Sequence, residues 1–182
     1  RIEEGADELN DMIAQLLTIT RLETGAPDYP KDDVIDLDKM VAEVCADADF
    51  EAGSRGGEVR LVANAPCSMK GTAALLRSAI ENVVRNAVIH AAGEGPIEVS
   101  LSVETHCAFI SVRDHGPGVP EDSLHALFRP FYRVAEGRER ESGGVGLGLS
   151  IAQRSAELHG GTVSAHNAES GGLLVVFELP LE

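Results

Sequence analysis

Between residues 72 and 112 the apolar residues change their period once, and that change leaves the chain very few folds to choose from. Over 72–92 they fall at Leu75, Leu76, Ala79, Ile80, Val83, Val84 and Ala87, the three-four spacing that lines one side of a long helix. Over 97–103 and 108–112 they alternate instead. That is the period of a half-buried strand, and the short link between the two runs makes a hairpin. A one-sided helix followed at once by one-sided strands buries both apolar faces by laying one on the other. Strand patterns over 34–37 and 58–62 flank a helix over 38–53. A second glycine-opened helix over 147–159 stops at Gly160-Gly161, the residue type that ends helices in the left-handed region. Strands over 162–165 and 173–179 complete the set, and the expected architecture is a two-layer α/β sandwich. The segment 114–146 is rich in glycine and proline and has no period. A loop of that length inside a compact domain is usually functional.

Residues 1–25 stand apart. Ile2, Leu9, Met12, Ile13, Leu16 and Ile19 form one apolar stripe among acids, and Gly25-Ala26-Pro27 ends it. A lone amphipathic helix cannot bury its own stripe, so partner helices are expected, with 26–33 as a linker and 34–182 as the domain; packing of the helix onto that domain is the alternative, which the breaker and the polar run to Asp33 disfavour. The start inside a helical pattern is expected of a piece of a longer chain.

Fifteen Lys and Arg against thirty Asp and Glu leave a net charge of −15, which repels nucleic acid and anionic membrane surfaces. With no Trp and few aromatics, the core must rest on Leu, Ile, Val and Ala. Cys45, Cys67 and Cys107 are odd in number and widely spaced, which suits inert thiols in a reducing, cytoplasmic setting. No apolar run approaches the roughly 20 residues of a membrane span, so no direct membrane contact is expected.

Three groups of residues carry chemistry. In Glu81-Asn82-Val83-Val84-Arg85-Asn86 the two Asn amides lie one turn apart on one helix face. Asn is disfavoured inside helices, yet an amide oxygen is a hard, neutral ligand suited to Mg²⁺; plain surface Asn is the alternative. Asp114-His115-Gly116-Pro117-Gly118 follows a strand, so the carboxylate can accept from an adenine amine while the glycines let backbone pass a flat ring. A simple turn would use the same residues. Gly143-Gly144-Val145-Gly146-Leu147-Gly148-Leu149 opens a helix, where exposed N–H groups and the helix dipole favour a polyphosphate. It has neither Rossmann nor P-loop spacing, and a flexible hinge is the alternative. Between the last two lies the apolar cluster Leu127-Phe128-Arg129-Pro130-Phe131-Tyr132-Arg133.

In this order the motifs resemble the N, G1, F and G2 boxes of two-component sensor histidine kinases, within the GHKL (Bergerat-fold) ATPases. The run 128–133 and the segment 138–149 are most similar to Cpx-type envelope-stress sensor kinases. The resemblance covers residue 34 to the end and implies a mixed sheet with helices on one face, preceded by one amphipathic helix. That helix, 1–25, resembles the second helix of a dimerisation and phosphoacceptor hairpin. ATP and Mg²⁺ are the implied cofactors. Asn86 is the implied metal ligand, with Asn82 and His90 beside the nucleotide, and Asp114 meets the adenine amine. Gly116 and Gly118 shape the pocket, while Gly144, Val145, Gly146, Leu147, Gly148 and Leu149 line the phosphates. Residues 119–143 would form a mobile lid, anchored by Phe128 and Phe131. Arg133, Arg138 and Arg140 would be lid cations reaching the phosphates; pairing with Glu136, Glu139 and Glu141 accounts for them equally well.

ATP-hydrolysing relatives such as gyrase and Hsp90 place a Glu base where this chain has Asn82, which cannot take a proton from water. The resemblance therefore implies transfer of the γ-phosphoryl group to an acceptor histidine. None of the six His lies in the family's acceptor pattern, so the acceptor must be supplied by another domain of the same kinase, homodimeric in its full-length form. A cognate response regulator is the implied onward partner, and the cytosolic side of an inner-membrane sensor the implied location. Ile89 replaces the basic residue common three positions after the magnesium Asn. The competing possibility is an anti-sigma-factor kinase acting on Ser or Thr, which Asn86-Ala87-Val88-Ile89-His90 also resembles, although that group keeps the Glu at position 82.

Overall fold

A computed structural model describes residues 12–20, 22, 33–54, 56–91, 94–134 and 145–181. Helical residues 12–20 and 22 form α1. There follow β1 (Asp33–Asp36), α2 (Leu37–Gly53), β2 (Val59–Asn64), β3 (Ser68–Gly71), α3 (Ala73–Ala91), β4 (Ile97–Glu104) and β5 (Cys107–Arg113). The short α4 (Glu121–Leu124), α5 (Gly148–Leu158), β6 (Thr162–Asn167) and β7 (Leu173–Pro180) complete the order.

Five strands make one sheet in the order β2-β4-β5-β7-β6. β2 runs parallel to β4, and the other neighbours are antiparallel. The parallel pair requires a crossover, which α3 supplies. Alternation then sorts the side chains. Ile97, Val99, Leu101, Ala108, Ile110, Val112, Val175 and Phe177 are buried in one cluster with Leu37, Val41, Val44, Leu76, Ile80, Val83 and Val84 of the helices. The opposite face carries Ser100, Ser102, Ser111 and Glu178, half-buried or exposed. This is the expected mixed sheet with helices on one face.

A second, two-stranded sheet pairs β1 with β3 in antiparallel register, Asp33 opposite Gly71 and Asp36 opposite Ser68. It ties the start of α2 to the start of α3. Of the four residues of β3 only Met69 is a hydrophobe, so the strand has no readable period and owes its form to β1.

For α1, the alternative of packing on the domain holds over part of the stripe: Ile19 and Leu22 are buried against Leu75, Leu147 and Ile151. The Arg154 guanidinium donates to the Leu22 carbonyl at 3.3 Å. Ile13, Leu16 and Leu17 remain exposed, so the domain covers only part of the helix's apolar surface.

Candidate functional site

The site assembles along α3. Asn82 and Asn86 are both half-buried. The Asn82 side chain lies against the first turn of α5: a Cβ on Gly148 would sit 3.2 Å from Asn82 Oδ1. Glycine at 148 thus lets the glycine-opened helix close on the amide-bearing one. Among the described residues no hydrogen-bond donor or acceptor meets the Asn86 amide. Glu81, its neighbour round the helix, lies 3.8 Å from Arg77. Burial pushes its carboxyl above the usual range, with Arg77 opposing and Asp47 adding to the shift. It lines a cleft of about 350 Å³ with Gln15, Thr18, Asp47, Asn82 and Arg85.

Asp114 sits at the far end of the same helix by connectivity. α3 ends at Ala91, β4 starts at Ile97, and Glu98 pairs with Arg113. The carboxylate is 6% exposed, and its Oδ1 accepts from Gly116 N at 2.9 Å and Leu173 N at 3.0 Å. Asp114 N in turn donates to Leu173 O at 3.0 Å. A Cβ on Gly172, at φ +88°, would fall 1.9 Å from the Asp114 carbonyl oxygen, so only glycine lets the β6–β7 turn approach this closely. Gly116 is buried and Gly118 has φ +74°. The turn residues Gly172 and Leu173 escaped the motif reading; the Gly171-Gly172 pair was their one visible trace.

At α5, Leu147 precedes the first turn, and no side chain caps that end. The N–H groups of a first turn have no partner inside the helix, so this end can receive an anion. The side chains of Leu147 and Leu149 are in the core and Val145 packs against α1's cluster. Whatever these three positions offer a ligand is backbone. Gly146, at φ +78°, carries the adjoining loop: Phe131 N donates to its carbonyl at 2.9 Å, and a Cβ there would meet Tyr132 O at 2.9 Å.

The expected anchor needs correction at one residue. Phe128, Leu127 and Leu124 pack on the core. Phe131 is 59% exposed with φ +64°, because its backbone has turned to reach Gly146, and it anchors by that bond rather than by its ring. Arg133 and His90 are exposed. Arg138, Arg140 and Gly144 lie outside the described residues. His159 sits away from the site and joins helices: its Nε2 accepts from Thr72 N at 2.9 Å, and Nδ1 lies 2.7 Å from Ser155 O.

Asn86 fits magnesium by its donor chemistry. It offers a neutral oxygen, and Mg²⁺ takes most of its coordination from phosphates and water. Among the described residues no cluster of three or more His, Cys, Asp or Glu could hold a metal without such a ligand. No described helix is long and apolar enough to cross a membrane.

Residues 71–182 match the family described as histidine kinase-, DNA gyrase B-, and HSP90-like ATPase. Sensor histidine kinase CpxA of Escherichia coli (strain K12) is 38% identical over 182 residues, covering 100% of this chain and 39% of that protein. Thus the chain spans about two fifths of that relative's length. The crystal structure of full-length ShkA in complex with AMPPNP superposes with a TM-score of 0.79 at 25% identity, over 97% of this chain and 36% of that one. The mycobacterial sensor histidine kinase MprB superposes with a TM-score of 0.73 at 25% identity, over 81% of this chain and 97% of that one. The match takes in α3, the Asp114 loop and α5, and the chain belongs to the histidine kinase-, DNA gyrase B- and HSP90-like ATPase family.

Proposed function

We propose that the chain binds ATP with Mg²⁺ between α3 and the N-terminal end of α5 and hands the γ-phosphoryl group to a histidine on a separate acceptor domain. The observation that carries this is the closure of Gly148 on Asn82. It brings an uncapped helix N-terminus against an amide-bearing face that has no carboxylate at position 82. Asp114, held by Gly116 and Leu173, presents its carboxyl group to the exocyclic amine of adenine. The α5 N–H groups receive phosphate oxygens. When bound, the cation neutralises charge on the phosphates, and Asn86 would hold it.

An unprotonated imidazole nitrogen of the acceptor attacks the γ-phosphorus. The N–P bond forms as the bond to the β-phosphate oxygen breaks, ADP leaves, and the other ring N–H proton is released. Such transfer asks mainly for positioning and charge stabilisation, which is what this chain supplies. Asn82 cannot deprotonate water, so the phosphoryl group is kept for the histidine. CpxA, a relative matched over the whole of this chain, is a sensor histidine kinase by name, which supports a homodimeric parent and a response regulator as onward partner.

The test uses γ-labelled ATP and Mg²⁺ with and without an acceptor domain bearing the histidine. Label is expected on the added domain only, in an acid-labile bond, and Asn86→Ala is expected to abolish it. Acid-stable label on Ser or Thr would favour the anti-sigma type of kinase. No label on any partner would overturn the proposal.

A further inference from the structure

We propose that Asn167 is a positioning residue for the transfer, clamping Val119, where the lid segment begins. The inference rests on the function proposed above and adds a residue that no motif contains. Asn167 ends β6. Its Oδ1 accepts from Val119 N at 2.9 Å, while its Nδ2 donates to Val119 O at 2.7 Å and to Glu121 Oε1 at 3.1 Å. Both amide protons are used. The reversed orientation would set donor against donor at Val119 N and acceptor against acceptor at Val119 O, so the network fixes which atom is oxygen. Exchange of both bonds with one residue is what a neighbouring strand does in a narrow antiparallel pair; here one side chain does it. Gly118, at φ +74°, leans on the same amide, since a Cβ there would lie 2.8 Å from Asn167 Oδ1.

The β6–β7 turn therefore holds the Asp114 loop at both ends by separate means. Leu173 N and Gly172 hold Asp114, and Asn167 holds Val119. Adenine recognition depends on the first and the path of residues 119–134 toward Gly146 on the second. Loss of the Asn167 amide leaves the adenine carboxylate in place and frees the near end of the lid.

Three measurements on Asn167→Ala and Glu121→Ala test this. They are amide exchange at Val119, magnesium–ADP affinity, and the transfer rate to an added acceptor domain at saturating ATP. For Asn167→Ala, Val119 exchange should rise roughly tenfold, as loss of a part-buried hydrogen-bond pair implies. Leu173 exchange should stay unchanged, ADP affinity should stay within about threefold, and transfer should fall by about fivefold or more. Glu121→Ala removes only the third bond and should match the parent. Should Asn167→Ala fail to fold, Asn167→Asp serves: it keeps the acceptor for Val119 N and loses the donor, so Val119 should stay protected while transfer falls.

Unchanged Val119 exchange in folded Asn167→Ala would overturn the clamp. Unchanged transfer would overturn its role in the reaction. An ADP affinity that falls as far as transfer does would assign Asn167 to the adenine site instead. A parent chain that transfers nothing would sink the proposed function, while the exchange measurement would still decide the clamp.

Discussion

At the scale of single residues, chemistry here is set by which side of α3 a group faces. Asn82 borders the glycine-opened helix, whereas Glu81, its sequence neighbour, faces the cleft beside α2. Burial raises the Glu81 carboxyl above its ordinary value of 4.5, Arg77 works against this, and Asp47 reinforces it. A carboxyl with a raised folded value favours the fold fully below the unfolded value, and that contribution is lost as pH rises through the folded one. Near neutral pH the ionised Glu81 is therefore a small net cost, small because the side chain is 51% exposed. Glu81→Gln should raise Tm at pH 8 by about 1 °C, and the gap should close as pH falls toward 4.5. A lower Tm at pH 8 would show instead that the Arg77 pair dominates. Burial likewise raises the Cys45 thiol to about 11 and raises Cys67, in keeping with inert thiols.

Among the elements, α1 invites a test because its docking was not legible in the sequence. Its stripe reads the same for a bundle partner as for a domain surface, and the residues it meets, Leu75, Leu147 and Ile151, are scattered over more than seventy positions. α3 and the β4–β5 hairpin were legible because their periods are long and unbroken. β3 was not, since its register comes from β1. Asp114, Gly148 and Asn82 could be singled out by motif, but Asn167 could not: an Asn closing a strand before a glycine turn reads as a turn former, and only the fold brings Val119 to it. Leu22 is 1% exposed and belongs to the apolar cluster that joins α1 to the domain. Leu22→Ala should cost about 2 kcal/mol or more in that contact. The loss should appear locally, as amide exchange in residues 12–20 rising some 30-fold while β4, β5 and β7 keep their protection. Uniform loss across the sheet would mean that α1 and the domain unfold as one unit.

For the molecule as a whole, a ligand bridging α3 and α5 ties together the helices that cover the sheet, so nucleotide binding should appear as global stability. A ligand at one hundred times its Kd adds about 2.7 kcal/mol, which for a chain of this length is a Tm rise of roughly 5–11 °C. If the cation joins phosphates to Asn86, EDTA should remove more than half of that rise, and Asn86→Ala should give a smaller rise that EDTA leaves unchanged. The net charge of −15 offers a rival explanation, because free ATP is more anionic than its magnesium complex and is repelled more by an acidic surface. The two separate by ionic strength. Long-range repulsion is largely screened beyond about 8 Å at 0.15 M salt and about 3 Å at 1 M, whereas a direct ligand bond is not. An EDTA effect that persists from 0.15 to 0.5 M salt, and that Asn86→Ala abolishes, places the cation on α3. One that fades with salt, equally in both proteins, would reduce magnesium to charge neutralisation in solution and remove Asn86 from the site.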